Sequence, residues 1–333
     1  MTNLKKIGMT ALAGSLAAIG YAQAGALDVT GTARMEYQST TSSTGNSDDS
    51  FAQNTSISFS GSGELDNGMS VSYFSLQAAG ANSSSQSVAL DMGDAGTISM
   101  ANYDVAGIGT IQDKVPNGGE QPWDDLGAHG KPAQGVADPH TGDILGYKTS
   151  VAGATFTAAM NYEQTEPTTS AAISMAVMEG LEVGAGMATD QSAAGVEDDI
   201  STMYVRYAMG AVSVGYQTTD VDVAAATSDI ERTSYGVSFA VNENLSIGYG
   251  ISDTDFDASA TDEENTGIGI AYTSGGMKLG IINNTKDNAG GTAGDPNYGA
   301  GGGGGSSAVG ADGSTTAGGA GGAGTASSIT GSS

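Results

Sequence analysis

Residues 27–38 have the sequence LDVTGTARMEYQ, in which apolar and polar residues alternate. The apolar phase holds Leu27, Val29, Ala33, Met35 and Tyr37. The other phase is polar or charged, from Asp28 to Gln38. A two-residue period is that of a β-strand with one apolar and one polar face. The stretch therefore predicts an amphipathic strand.

The same alternation continues as far as Lys286 and predicts fifteen strands. Further apolar phases include Phe156, Ala158, Met160 and Tyr162; Val212, Val214 and Tyr216; and Ile268, Ile270 and Tyr272. We expect the opposite phase to hold Ser, Thr, Gly, Asn, Gln or charged residues. Tight turns such as Asp66-Asn67-Gly68 alternate with longer polar connections such as Thr189 to Asp198.

Short strands with alternating short and long connections are typical of an all-β, antiparallel up-and-down transmembrane barrel, whose outer face meets lipid and whose inner face meets water. A soluble β-sandwich would need larger side chains than the Ala and Gly found at many apolar positions. After residue 24, no apolar run approaches the roughly 20 residues of a membrane-spanning helix, which excludes helical membrane proteins.

Composition narrows the function. The 333 residues include 53 Gly and no Cys, and 37 acidic against 10 basic residues give a formal charge of -27. Nucleic-acid binding needs clustered Lys and Arg, so it is not expected. Met1 to Ala24 has Lys5 and Lys6, an uncharged stretch and a small-x-small cleavage signal, which predicts an export signal peptide. Without Lys5 and Lys6, 8 basic and 37 acidic residues give -29.

The leader, the first strand and the turn segments FSGSGELDNGM (59–69) and MGDAGTI (92–98) resemble the Gram-negative outer-membrane general porins, most closely the alphaproteobacterial type. The resemblance covers residues 1 to 286. It implies a 16-stranded barrel, usually a homotrimer, in outer-membrane lipid, with both termini in the periplasm. It also implies a long third external loop that folds into the lumen as a constriction. Residues 104–142 form the third long connection and are expected to be that loop.

The chain departs from this family after residue 286. Residues 287–333 are rich in Gly, Ala, Ser and Thr and contain no alternating apolar segment, so a sixteenth strand with a terminal aromatic residue is not visible. Three explanations stay open: a Gly-rich eighth loop in an incomplete sequence, a change of reading frame near residue 287, or a poor sixteenth strand within the tail. We favour the first two.

Charged side chains at the narrowest point of a pore set its selectivity. The basic residues on the polar phase are Arg34, Lys148, Arg206, Arg232 and Lys278. Lipid-facing Arg or Lys would cost about 2–4 kcal/mol, so lumenal placement is what a barrel requires. The resemblance implies that acids of the third loop face them: Asp113, Glu120, Asp124 and Asp125. A solvated acidic loop without such a role is the alternative.

Other chemistry has little support. Asp253, Asp255, Asp257 and Glu264 have part of the spacing of a calcium loop, but Ala258 stands where Gly is needed, so weak calcium binding is a secondary hypothesis and no cofactor is expected. His129 and His140 share the long loop without a fixed partner, so no catalytic site is expected.

The sequence thus predicts a passive outer-membrane channel for ions and small polar solutes, with a preference for cations. The alternatives are an adhesive or structural surface protein with a barrel anchor and an exposed Gly-rich tail, and a membrane-embedded hydrolase with a Ser–His pair.

Overall fold

The computed structural model describes residues 27–41, 47–78, 84–119, 121, 142–161, 167–193, 196–224 and 229–288. Fifteen strands, β1 to β15, form one sheet in which each strand pairs antiparallel with the next. Their bounds are Asp28–Thr41, Ser47–Glu64, Ser70–Ala78, Ser85–Asp91, Thr97–Ala101, Ile144–Val151, Ala154–Asn161, Thr168–Met178, Leu181–Ala193, Val196–Met209, Val212–Asp222, Ile230–Ala240, Leu245–Phe256, Glu263–Ser274 and Met277–Asp287. The predicted all-β, up-and-down barrel is confirmed, with its fifteen readable strands.

The two faces of the sheet follow the alternation. Paired residues of antiparallel strands share a face, and Val205 pairs with Tyr216, which pairs with Tyr235. Apolar residues of this phase are exposed on the outer face, and Met35 reaches 89% exposure. An exposed apolar band of this extent is what a lipid-facing barrel wall requires.

The inner face is not uniformly polar, which corrects one expectation. Inward-facing apolar residues near the long-connection ends of β10 to β13 are buried: Ile200, Val221, Ile230 and Phe256. They pack with Ile108 and Ile111 of the connection between β5 and β6. The prediction was wrong here because this connection shields part of the inner face from water, so apolar side chains are stable there.

The described strands end where the sequence pattern ends. Within the described residues, β1 pairs with β2 alone and β15 with β14 alone. The predicted signal peptide over residues 1–24 lies outside the described residues, and so does the predicted tail over 287–333 from residue 289 onward, with the expected sixteenth strand. No helix in the described ranges is long and apolar enough to cross a membrane.

Candidate pore constriction

The connection between β5 and β6 folds against the inner face of the sheet. Two short hydrophobic residues, Val105 and Ala106, pack on β6 and β7. A 3₁₀ turn over Ile108–Ile111 then packs against β7 to β9 and belongs to one hydrophobic cluster that extends to Phe256 on β13. Further along, the Asn284 amide on β15 donates to the Gln121 carbonyl over 3.1 Å. From residue 104 onward, the described part of this connection therefore lies along β6 to β15, whose inner face we call the loop-lined wall.

Gln217 on β11 fixes the middle of the connection. Its side-chain amide nitrogen donates to the Ile111 carbonyl over 3.0 Å. Its side-chain oxygen accepts from the Lys114 backbone N–H, also over 3.0 Å. The Gln217 side chain is buried, and buried polar groups need hydrogen-bond partners. Gln217 and the two loop backbone groups satisfy each other.

Glycines on the inner face let the connection approach the wall closely. A Cβ on Gly248 would overlap the backbone of Gly118, and a Cβ on Gly236 would overlap the Pro116 carbonyl. Both strand glycines lie on the inward phase. Their missing side chains therefore create the space in which residues 115–118 lie.

Arg232 lies in a buried charged cluster at the long-connection end of the loop-lined wall. Its guanidinium is 3.9 Å from the Glu263 carboxylate and donates to the Thr254 hydroxyl over 2.9 Å. Lys286 approaches the same carboxylate at 3.6 Å, and the charge of Asp113 in the loop also acts on Arg232. Arg232 is 2% exposed and Glu263 is 1% exposed. Arg232 thus lies on the inner phase but does not present its charge to open water.

A second charged group lies nearer the tight-turn end. Arg206 is 3.8 Å from Glu182, whose carboxylate also accepts a hydrogen bond from the Tyr204 hydroxyl. Lys114 of the loop lies over the Tyr204 ring, with 5.6 Å between Nζ and the ring centroid. The ring face attracts such a cation, so Tyr204 links a loop cation to a wall ion pair.

The remaining basic candidates are exposed on the inner phase. Arg34 is 3.0 Å from Glu36 on β1, and the Arg34 side chain is 57% exposed. Lys148 on β6 and Lys278 on β15 are exposed as well. Of the predicted loop acids, Asp113 is exposed and has a positive φ of 53°. Glu120, Asp124 and Asp125 lie outside the described residues.

The calcium hypothesis finds no assembled site. Asp253 and Glu264 pair in register, and both lie on the outer phase of β13 and β14. Among the described residues, which include Asp255 and Asp257, no group of three or more acidic or His side chains could hold a metal ion. The four predicted ligands are therefore not brought together.

Several inner-face residues were not predicted as site residues although the same alternation marks them: Glu36, Glu182, Glu263 and Lys286. Applying the phase rule to acids as well as bases would have found the three glutamates. Lys114 and Gln217 carried no such signal, because their roles depend on where the loop passes the wall.

Comparisons with known proteins agree with this fold. A family model described as Gram-negative porin matches residues 8–281. A solved porin structure refined at 1.8 Å is 20% identical, with a TM-score of 0.59, and the match covers 78% of this chain and 94% of that one. A triple mutant of Rhodopseudomonas blastica porin is 16% identical with a TM-score of 0.57, over 78% and 94% of the two chains. Salmonella typhi OmpF in complex with daunomycin is 12% identical with a TM-score of 0.56, over 78% and 89%. None of the curated proteins matches.

Proposed function

The chain belongs to the Gram-negative porin family, and from this we propose that it forms a cation-preferring, water-filled channel for ions and small polar solutes. An outer-membrane porin for passive diffusion is the function that the family and the fold support. The observation that carries the finer proposal is the lumen itself: an inner face rich in hydroxyls and charges, narrowed by the connection that lies along β6 to β15. The charged side chains of the lumen, without a cofactor, would then select among the solutes.

Pairing within the barrel supports cation preference. The carboxylates of Glu36, Glu182 and Glu263 each lie within 4 Å of an inward-facing arginine. Opposite charges at this distance offset each other, so these arginines raise the lumenal potential less than free cations would. A lumen with neutralised arginines in a chain of formal charge -27 favours cations.

The rim of the barrel supports the same proposal. Acids on the outer phase cluster near the long-connection ends of β10 to β15: Asp199, Asp220, Asp222, Glu231, Asp253, Asp255, Glu264 and Asp287. Negative charge around an opening raises the local concentration of cations there. We therefore expect cations to enter more readily than anions.

Planar bilayers test the channel and its charge together. We expect stepwise current from the purified protein, and in a KCl gradient we expect a reversal potential of the sign set by potassium. Anion preference would contradict the charge argument but would still be consistent with a pore. Insertion without current would contradict the pore and favour the alternative of a surface protein anchored by its barrel.

We extend the proposal to export and assembly. Met1 to Ala24 would direct export and be removed before Gly25, and three copies would assemble in outer-membrane lipid, as the family resemblance implies. N-terminal sequencing of the protein from outer membranes tests the cleavage site. Measurement of the particle mass in mild detergent tests the trimer, and a monomeric mass would contradict it.

A further inference from the structure

The inner face of β1 to β4, which we call the serine-rich wall, differs from the loop-lined wall in its chemistry. Its inward side chains include a large group of hydroxyls: Thr30, Thr32, Ser56, Ser58, Ser60, Ser62, Ser72 and Ser87. Some bond to each other across strands, as Thr30 and Thr32 do with Ser58 and Ser56 at 2.6 Å. A hydroxyl both donates and accepts hydrogen bonds, so this wall suits uncharged polar groups.

An aromatic pair interrupts the hydroxyls. The inward-facing Phe74 on β3 packs edge-on against Tyr103, two residues after the end of β5, with ring centroids 5.9 Å apart and an interplanar angle of 66°. The Tyr103 hydroxyl is 2.9 Å from the Ser87 hydroxyl, which fixes its position. Neither ring is buried. A phenylalanine ring on a water-filled lumen leaves apolar area that a bound solute could cover.

The aromatic pair lines one recess of about 430 Å³, together with Asp28, Ser60, Gly61, Ser62, Ser72, Tyr73 and Ser87. Asp28, Ser60, Phe74 and Ser87 are consecutive partners across β1 to β4, so they form a single row. Three strand spacings make that row about 14 Å wide. The recess therefore has the volume of a small-molecule site, with an aromatic ring at its centre and polar groups on both sides.

We propose that this recess binds an uncharged polyhydroxylated solute of the size and chemistry of a hexose. The face of a pyranose ring carries C–H groups that an aromatic face attracts, and its rim carries hydroxyls that pair with Ser60, Ser87 and Tyr103. A cation would find one carboxylate, Asp28, among neutral hydroxyls, and these compensate poorly for lost hydration. The proposal rests on the channel function, because the solute reaches the recess through the lumen.

Titration calorimetry and saturation-transfer NMR on the full chain in detergent micelles would test the site, with D-glucose as the probe. We expect saturable binding of glucose, and no binding of a polyethylene glycol of similar size, which carries only terminal hydroxyls. Replacing the ring in F74L weakens glucose binding roughly fivefold, since aromatic contacts are worth about that factor. Y103F keeps the ring and removes its hydroxyl, and it weakens binding about fivefold as well.

F59L is the matched control, because Phe59 is a phenylalanine of β2 on the outer face, paired with Ser75 on β3. We expect glucose to bind this variant as it binds the unaltered chain. Non-saturable binding, or equal affinity in F74L, Y103F and F59L, overturns the proposed site. Binding in micelles does not require current, so a failed channel and a failed glucose site give different results.

Discussion

The serine-rich wall and the loop-lined wall belong to one sheet, yet their charges differ in exposure. On the first wall, Arg34 and Glu36 form an ion pair whose side chains are 57% and 27% exposed. On the second, Arg232 and Glu263 are almost fully buried near the loop. The alternation alone predicts the same lumenal placement for both arginines. The difference shows that tertiary packing, which the alternation does not contain, decides which lumenal charges meet solutes.

Removing one carboxylate from each ion pair should give the largest difference between the two walls, measured as the loss of unfolding free energy. Glu263→Gln leaves Arg232 and Lys286 buried near a neutral amide, and breaking a buried pair costs about 3–5 kcal/mol. Glu36→Gln removes half of an exposed pair and costs about 0–1 kcal/mol. Urea unfolding in detergent, followed by the β-sheet circular dichroism signal, measures both. Equal losses of unfolding free energy would mean that burial does not distinguish the pairs.

Two inward glycines test whether the wall provides space for the loop. Gly248→Ala places a Cβ against the backbone of Gly118, whereas a Cβ on Gly280 is 3.8 Å from its nearest neighbour, Ile282. Overpacking of this kind costs about 1–3 kcal/mol. We expect Gly248→Ala to push the loop away from the wall into the lumen, and so to lower and broaden the single-channel conductance, while Gly280→Ala leaves it unchanged. Unchanged conductance in both variants would contradict the close approach of loop and wall.

The alternation made the fold predictable. Each strand shows its period of two in a few residues, and tight turns mark one end of each hairpin, so the sequence up to Lys286 was enough for fifteen strands. The inward placement of Arg34 and Arg206 follows from the same rule, since lipid penalises charge. These are local properties, which the sequence carries directly.

The site was less predictable because it depends on contacts between distant residues. Ile200 and Phe256 are apolar residues on a polar phase, and only the structure shows that they belong to one buried cluster with Ile108 of the loop. Gln217 resembles any lumenal glutamine, yet it binds the loop backbone 106 residues earlier in the chain at Ile111. The burial of Arg232 beside Thr254 and Glu263 likewise depends on contacts that the local pattern does not contain. Tertiary packing therefore overrides what the local pattern predicts for each side chain.

The smallest expected effect concerns ion selectivity, and it compares the two arginines directly. Arg34→Gln leaves the Glu36 carboxylate without its cation in water, so the permeability ratio of K⁺ to Cl⁻ should rise, by less than about twofold in 0.1 M salt, where charges are screened over about 10 Å. At 0.01 M the screening length is about 30 Å and the difference should grow. Arg232→Gln should change the ratio less in channels that insert, because its charge does not face open water. Reversal potentials at the two salt concentrations measure both variants. A larger shift for Arg232→Gln would mean that its guanidinium faces the permeating ions, and the two walls would then share one role in selectivity.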